Sequence, residues 1–65
     1  MRILVNGASR ELRAADLTAA LEELGYGGSV VATALNGEFV PVTERQTARL
    51  ADGDRIEVLA PMQGG

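Results

Sequence analysis

One helical stripe stands alone in this chain. Leu17, Ala20, Leu21 and Leu24 recur at i, i+3, i+4 and i+7, the spacing of one apolar helix face. The other apolar segments alternate with period two or run as short blocks, as strands do. A single amphipathic helix must bury its stripe against one face of a sheet, so the expected architecture is a two-layer α+β domain. With 65 residues, one domain is the ceiling. A domain of this size buries only about 60% of the surface its unfolded chain exposes, which leaves a thin core and no room for a deep catalytic cleft.

The order of elements narrows the topology. Met1, Ile3 and Val5 alternate with Arg2, Leu4 and Asn6, and Asn6-Gly7 is a turn signal because both residues tolerate positive φ. A second strand is expected around Ser9 to Arg13, with Leu12 pointing inward. Asp16 is placed to cap the helix N-terminus, Glu22 and Glu23 fall on its solvated side, and Gly25 sits where a left-handed C-cap belongs. Val30 to Leu35 reads as a central strand, bounded by Asn36-Gly37, and Glu38 to Val40 pairs back until Pro41 ends it. Thr43 to Leu50 reads as a loop with a helical turn, Asp52-Gly53-Asp54 as a turn, and Arg55 to Ala60 as the last strand. Strand, strand, helix and three strands, with the first and last side by side in parallel, satisfy a β-grasp sheet wrapped around the helix. The expected division is a domain over residues 1–60 and a flexible carrier tail over 61–65.

Composition excludes several kinds of chemistry. The chain has no cysteine and no histidine, so it offers no side-chain persulfide, no thiolate metal ligand and none of the usual general bases. Asp52 and Asp54 flank a turn glycine and lack the downstream ligands of a calcium loop, and Gly27-Gly28 lacks the lysine of a phosphate cradle. No metal site is expected. The net charge of −3 and the scattered arginines argue against nucleic acid, and no apolar run approaches the length of a membrane span. Without a leader-like start, the expected compartment is the cytoplasm.

Two features remain. The first is the end of the chain, Met62-Gln63-Gly64-Gly65. Glycine without Cβ can thread a narrow channel, and a free terminal carboxylate is an acyl group that needs no side chain. Two terminal glycines arise by chance in roughly half a percent of chains. Activated as an acyl-adenylate, the Gly65 carboxylate would be open to a thiol, a persulfide or an amine. The competing reading is an ordinary frayed terminus. The second feature is a sheet face. If Ile3, Val5, Ile56 and Val58 face the helix, then Leu4 and Leu59 point the other way, and Val30, Ala32 and Ala34 are expected beside them. These five residues would form an apolar docking patch on an acidic domain.

The opening Met1-Arg2-Ile3-Leu4-Val5-Asn6-Gly7, the run Ala34-Leu35-Asn36-Gly37-Glu38-Phe39-Val40-Pro41, the segment from Leu50 to Val58 and the closing Gly64-Gly65 resemble the ThiS family, the sulfur carriers of thiamine biosynthesis. The resemblance spans essentially the whole chain. It implies the ubiquitin-like β-grasp fold, with a mixed five-stranded sheet packed on one main helix. It also implies a carrier that is not itself an enzyme and binds no cofactor. A ThiF-like adenylyltransferase would use ATP and Mg²⁺ to adenylate Gly65, and sulfur from a cysteine desulfurase route would displace AMP. The product is a thiocarboxylate, a 1-thioglycine at Gly65, which a ThiG-like thiazole synthase would accept. Gly64, Gln63 and Met62 would lie in the partner's channel. The rivals are the small subunit of molybdopterin synthase, a ubiquitin-like protein modifier and a non-covalent binding module.

Overall fold

The computed structural model describes residues 1–60. The strands are β1 (Arg2–Val5), β2 (Ala8–Glu11), β3 (Ala32–Leu35), β4 (Glu38–Val40) and β5 (Arg55–Leu59). Helix α1 (Leu17–Glu23) follows β2, and a 3₁₀ helix (Val42–Thr47) follows β4. The sheet order is β2-β1-β5-β3-β4, with β1 and β5 parallel and the other neighbours antiparallel. This is the mixed β-grasp sheet expected from the element order. The segment read as a central strand is interior, as β3 between β5 and β4, and β5 is the middle of the five strands. That segment enters the ladder only at Ala32, where its pairing with Leu59 begins.

Both hairpins turn on Asn-Gly. Asn6 and Gly7 have φ of 50° and 85°, and Asn36 and Gly37 have 52° and 86°, the left-handed pair that a two-residue type I′ turn requires. Such a short loop puts Val5 directly opposite Ala8, so β2 starts at Ala8 and ends at Glu11 rather than running from Ser9 to Arg13. Leu12, just past β2, still exchanges main-chain hydrogen bonds with Met1 and is buried in the core.

The helix is defined at both ends by side chain and turn chemistry. The Asp16 carboxylate accepts from the Ala19 N–H at 2.8 Å, while the Leu17 N–H donates to the Ala48 carbonyl. At the other end Gly25, at φ +93°, donates to Glu22 O, and Tyr26 N donates to Leu21 O. This pair of bonds is the Schellman arrangement, and it stops the helix after seven residues.

The core lies between α1 and one face of the sheet. Ile3, Leu17 and Ile56 are fully buried, each contributing about 1.5–3 kcal/mol relative to exposure. Val5, Leu12, Ala14, Ala20, Leu21, Val31, Val40 and Val58 pack around them. Thr33 is the buried polar residue among them. Its hydroxyl donates to the Val40 carbonyl at 2.9 Å and accepts from Arg45 Nε at 3.0 Å, and Arg45 also donates to the Val31 carbonyl. Arg45 thus ties the 3₁₀ helix to β3.

Candidate functional site

Strand β5 positions the site because it is the middle strand and leads, through Ala60, into residues 61–65. Gly65, Gly64, Gln63 and Met62 lie outside the described residues. What the fold shows is how the strand feeding them is held.

Two side-chain amides clamp β5, one toward each end. The parallel ladder with β1 covers Leu4↔Arg55 and Val5↔Ile56, and the Asn6 N–H donates to the Ile56 carbonyl. There β1 turns away. The Asn6 side chain then takes over the place of the departed strand. Its Oδ1 accepts from Val58 N–H at 2.8 Å and its Nδ2 donates to Val58 O at 3.2 Å. At the opposite end, the Asn36 Oδ1 accepts from Arg55 N–H at 3.0 Å, and its Nδ2 donates to Asp54 Oδ1 at 3.1 Å. Each Asn-Gly turn therefore does two jobs: it reverses a hairpin and it continues the hydrogen bonding of β5 past the end of its neighbour.

The aspartates of the 52–54 turn are structural. Asp52 Oδ1 accepts from Arg2 N–H at 2.6 Å, and Asp54 Oδ2 accepts from Ala51 N–H at 2.8 Å. Glu23 is exposed, but it is not merely solvated as its helix position suggests. Its carboxylate accepts from the Arg13 and Ala14 N–H groups, all at 3.0 Å, and so fixes the chain entering α1. Among the described residues no cluster of three or more acidic side chains is placed to hold a metal.

The face of the sheet away from α1 carries Leu4, Ala32, Ala34 and Leu59, while Val30 precedes β3 and lies outside the ladder. Leu4, Val30, Ala32 and Leu59 are exposed and Ala34 is half-buried, while Val31 and Thr33 point into the core. The register adds two residues that the sequence reading passed over. Ala34 pairs with Phe39 on one side and with Glu57 on the other, so all three share the outer face. Phe39 and Leu59 are each 69% exposed. Ala32, Ala34, Phe39, Glu57 and Leu59 border a hollow of about 320 Å³. The cross-strand register was the missing signal for Phe39. Its own segment, Glu38-Phe39-Val40, is too short to show which face it takes.

The described residues thus give a rigid platform, an apolar face and a clamped strand that exits beside that face. Among them no helix is long and apolar enough to cross a membrane.

Known proteins share this plan. The family described as the ThiS family matches over residues 3–65. The sulfur carrier protein ThiS of Thermus thermophilus is 41% identical over 63 residues, covering 97% of this chain and 98% of the relative. A thiazole synthase of Paramagnetospirillum magneticum is 35% identical over a stretch that takes in 100% of this chain but only 20% of the larger protein. This chain therefore spans about a fifth of that relative's length. Among solved structures, the thiamine biosynthesis protein ThiS of Geobacter metallireducens superposes with a TM-score of 0.83 at 30% identity, with 100% of both chains covered.

Proposed function

The chain belongs to the ThiS family, and from that premise we propose that it carries sulfur for thiamine biosynthesis as a thiocarboxylate on Gly65. The observation that carries this reading is the conjunction of a whole-chain family match with a closing Gly64-Gly65. The composition supports it. A chain without cysteine or histidine offers neither a side-chain thiol to hold sulfur nor an imidazole base, which fits a carrier that uses its terminal carboxylate as the acyl group.

In this reading the protein is a co-substrate of other enzymes and not a catalyst. A ThiF-like adenylyltransferase joins the Gly65 carboxylate to the α-phosphorus of ATP, with Mg²⁺, and pyrophosphate leaves. The outer sulfur of a persulfide from a cysteine desulfurase route attacks the acyl carbon, AMP leaves with one carboxylate oxygen, and a thiol reductant then cleaves the resulting acyl disulfide, leaving the thiocarboxylate on Gly65 and a disulfide on the donor. The resulting 1-thioglycine is presented to a thiazole synthase. Gly64, Gln63 and Met62 occupy the partner's channel, where glycine at the reacting end admits close approach of backbone to nucleotide. Leu4, Val30, Ala32, Ala34 and Leu59 are the docking face. The cytoplasm, where ATP is supplied, is the setting for this chemistry.

The geometry of β5 supports this division of labour. A carrier must present its terminus while its body stays folded. The two asparagine clamps hold β5 from Arg55 to Val58, so a pull on residues beyond Ala60 meets an anchored strand. The test is intact mass after incubation with the activating enzyme, ATP, Mg²⁺ and a sulfur donor. One oxygen-for-sulfur exchange, localised to Gly65 by fragmentation, is the expected result. An unchanged mass, under conditions that load another ThiS protein, overturns the reading.

A further inference from the structure

The last rung of the β3–β5 ladder joins Ala32 to Leu59. Main-chain groups along a strand point alternately to one neighbour and to the other. Val58 makes its N–H and C=O bonds to the Asn6 side chain, on the β1 side. Leu59 therefore turns its own groups to β3, and its partner Ala32 turns toward β5. Val31 and Thr33, which flank Ala32, face the opposite way, toward β4. There β4 stops short. It ends at Val40, opposite Thr33, and Pro41 has no N–H to offer. The Val31 carbonyl has lost its strand.

Arg45 fills that place. Its Nη2 donates to the Val31 carbonyl at 2.6 Å and its Nε to the Thr33 hydroxyl at 3.0 Å, and the hydroxyl donates onward to the Val40 carbonyl at 2.9 Å. One planar guanidinium thus grips residues on both sides of Ala32, a span that the single nitrogen of a lysine does not match. The group is half-buried and joins no ion pair among the described residues, so hydrogen bonding is its role in the fold. Arg45 stands in for β4 as Asn6 stands in for β1, and it does so at the height where the β5 ladder ends.

We propose that Arg45 is a positioning residue for the reacting terminus. By holding Val31 and Thr33 it keeps the Ala32–Leu59 rung closed, and the closed rung sets the point and direction from which the chain leaves the folded body. This rests on the carrier reading and adds to it a residue that acts through β3 and β5. The end rung of a ladder opens at little free energy, so without Arg45 it is open much of the time. The end of β5 is then held by Asn6 alone, on one side. Gly65 lies six residues beyond Leu59, a lever of ~20 Å when extended. A small change of direction at Leu59 therefore moves the carboxylate by several ångströms, whereas a misplacement of about 1 Å already slows a reaction.

The experiment compares Arg45→Met, Arg45→Lys and Glu23→Ala, the last a control that loses main-chain bonds at the entry to α1. Hydrogen exchange is read at the Leu59 and Val58 amides, and thermal melting checks folding. Loading of Gly65 is followed in single turnovers with the activating enzyme in saturating excess, so that docking affinity does not enter the rate. Arg45→Met should speed exchange at Leu59 at least ~5-fold while Val58 changes less than about twofold. It should slow loading at least ~3-fold. Arg45→Lys should fall between Arg45→Met and the wild type in both readings, and Glu23→Ala should load at the wild-type rate. Equal acceleration at Leu59 and Val58 would mean that Arg45 only stabilises the fold, and overturns the proposal. So does a folded Arg45→Met protein that loads as fast as Glu23→Ala. If Arg45→Met does not fold, Arg45→Lys decides by the same two readings. Failure of the wild type to load sulfur would instead strike the carrier reading, so the two failures are distinguishable.

Discussion

Replacing Asn6 by alanine removes two hydrogen bonds and places a Cβ-bearing side chain without compensating polar contacts in left-handed backbone. The bonds to Val58 are 2.8 and 3.2 Å long and half-buried, and each contributes about 1 kcal/mol. Alanine at the φ of 50° found here costs a further ~1 kcal/mol relative to asparagine, whose side chain tolerates that region. The sum is about 3 kcal/mol. A 65-residue domain has a stability of only about 3–10 kcal/mol, so the loss is a large part of it. Asn6→Gly separates the two contributions, because glycine adopts this φ freely but forms neither bond. It should cost about 2 kcal/mol. In urea titrations with a slope near ~1 kcal/mol/M, Asn6→Ala should move the midpoint down by about 3 M and Asn6→Gly by about 2 M. If Asn6→Ala costs under ~1 kcal/mol, the amide clamp contributes little and the account of β5 is wrong. If the glycine and alanine variants coincide, the backbone contribution has been misassigned.

Ile56→Ala, which empties a fully buried position in the middle strand, should cost about 2–5 kcal/mol in the same titration. Arg45→Met strips the Thr33 hydroxyl and the Val31 carbonyl of their guanidinium donor and should cost about 1–2 kcal/mol; a change near zero would show that water replaces the guanidinium. Glu23→Ala should cost about 1 kcal/mol and speed hydrogen exchange at the Arg13 and Ala14 amides, whereas unchanged exchange would refute the hold of Glu23 on the chain entering α1. Deleting Gly65 should abolish sulfur loading and leave the melting temperature unchanged, since the core among the described residues is built between Ile3 and Val58. A large drop in melting temperature would mean the end of the chain is structural.

Local chemistry made much of this fold readable. The helix stripe, the Asp16 cap, the Gly25 stop and both Asn-Gly turns are each encoded within a few residues, and each stands where its pattern places it. The inward set of Ile3, Val5, Ile56 and Val58 follows from period-two alternation in the same way. What stayed hidden depends on partners distant in sequence. The amide of Asn6 meets Val58 only because β1 and β5 lie side by side, and the preference of Asn-Gly for turns already accounts for the residue. Glu23 looks like a solvated helix glutamate until the β2–α1 connection folds across it. The apolar run Val30–Leu35 does give an interior strand, β3, but the middle position goes to β5, because sheet order depends on the pairing of β5 with both β1 and β3. On the outer face of the sheet, the positions of Leu4, Ala32, Ala34 and Leu59 follow from alternation, Val30 falls before β3, and Phe39 and Glu57 join the face only through the register.

The central claim is that sulfur travels on Gly65. Its most direct test is a single turnover with labelled sulfur. The carrier is loaded using an isotopically labelled donor, freed of donor and activating enzyme, and mixed with thiazole synthase and its remaining substrates. The account predicts that label leaves the carrier, restoring the unmodified mass, and appears in the thiazole in matching amount. Label that stays on the protein, or leaves it without entering the thiazole, would contradict the account.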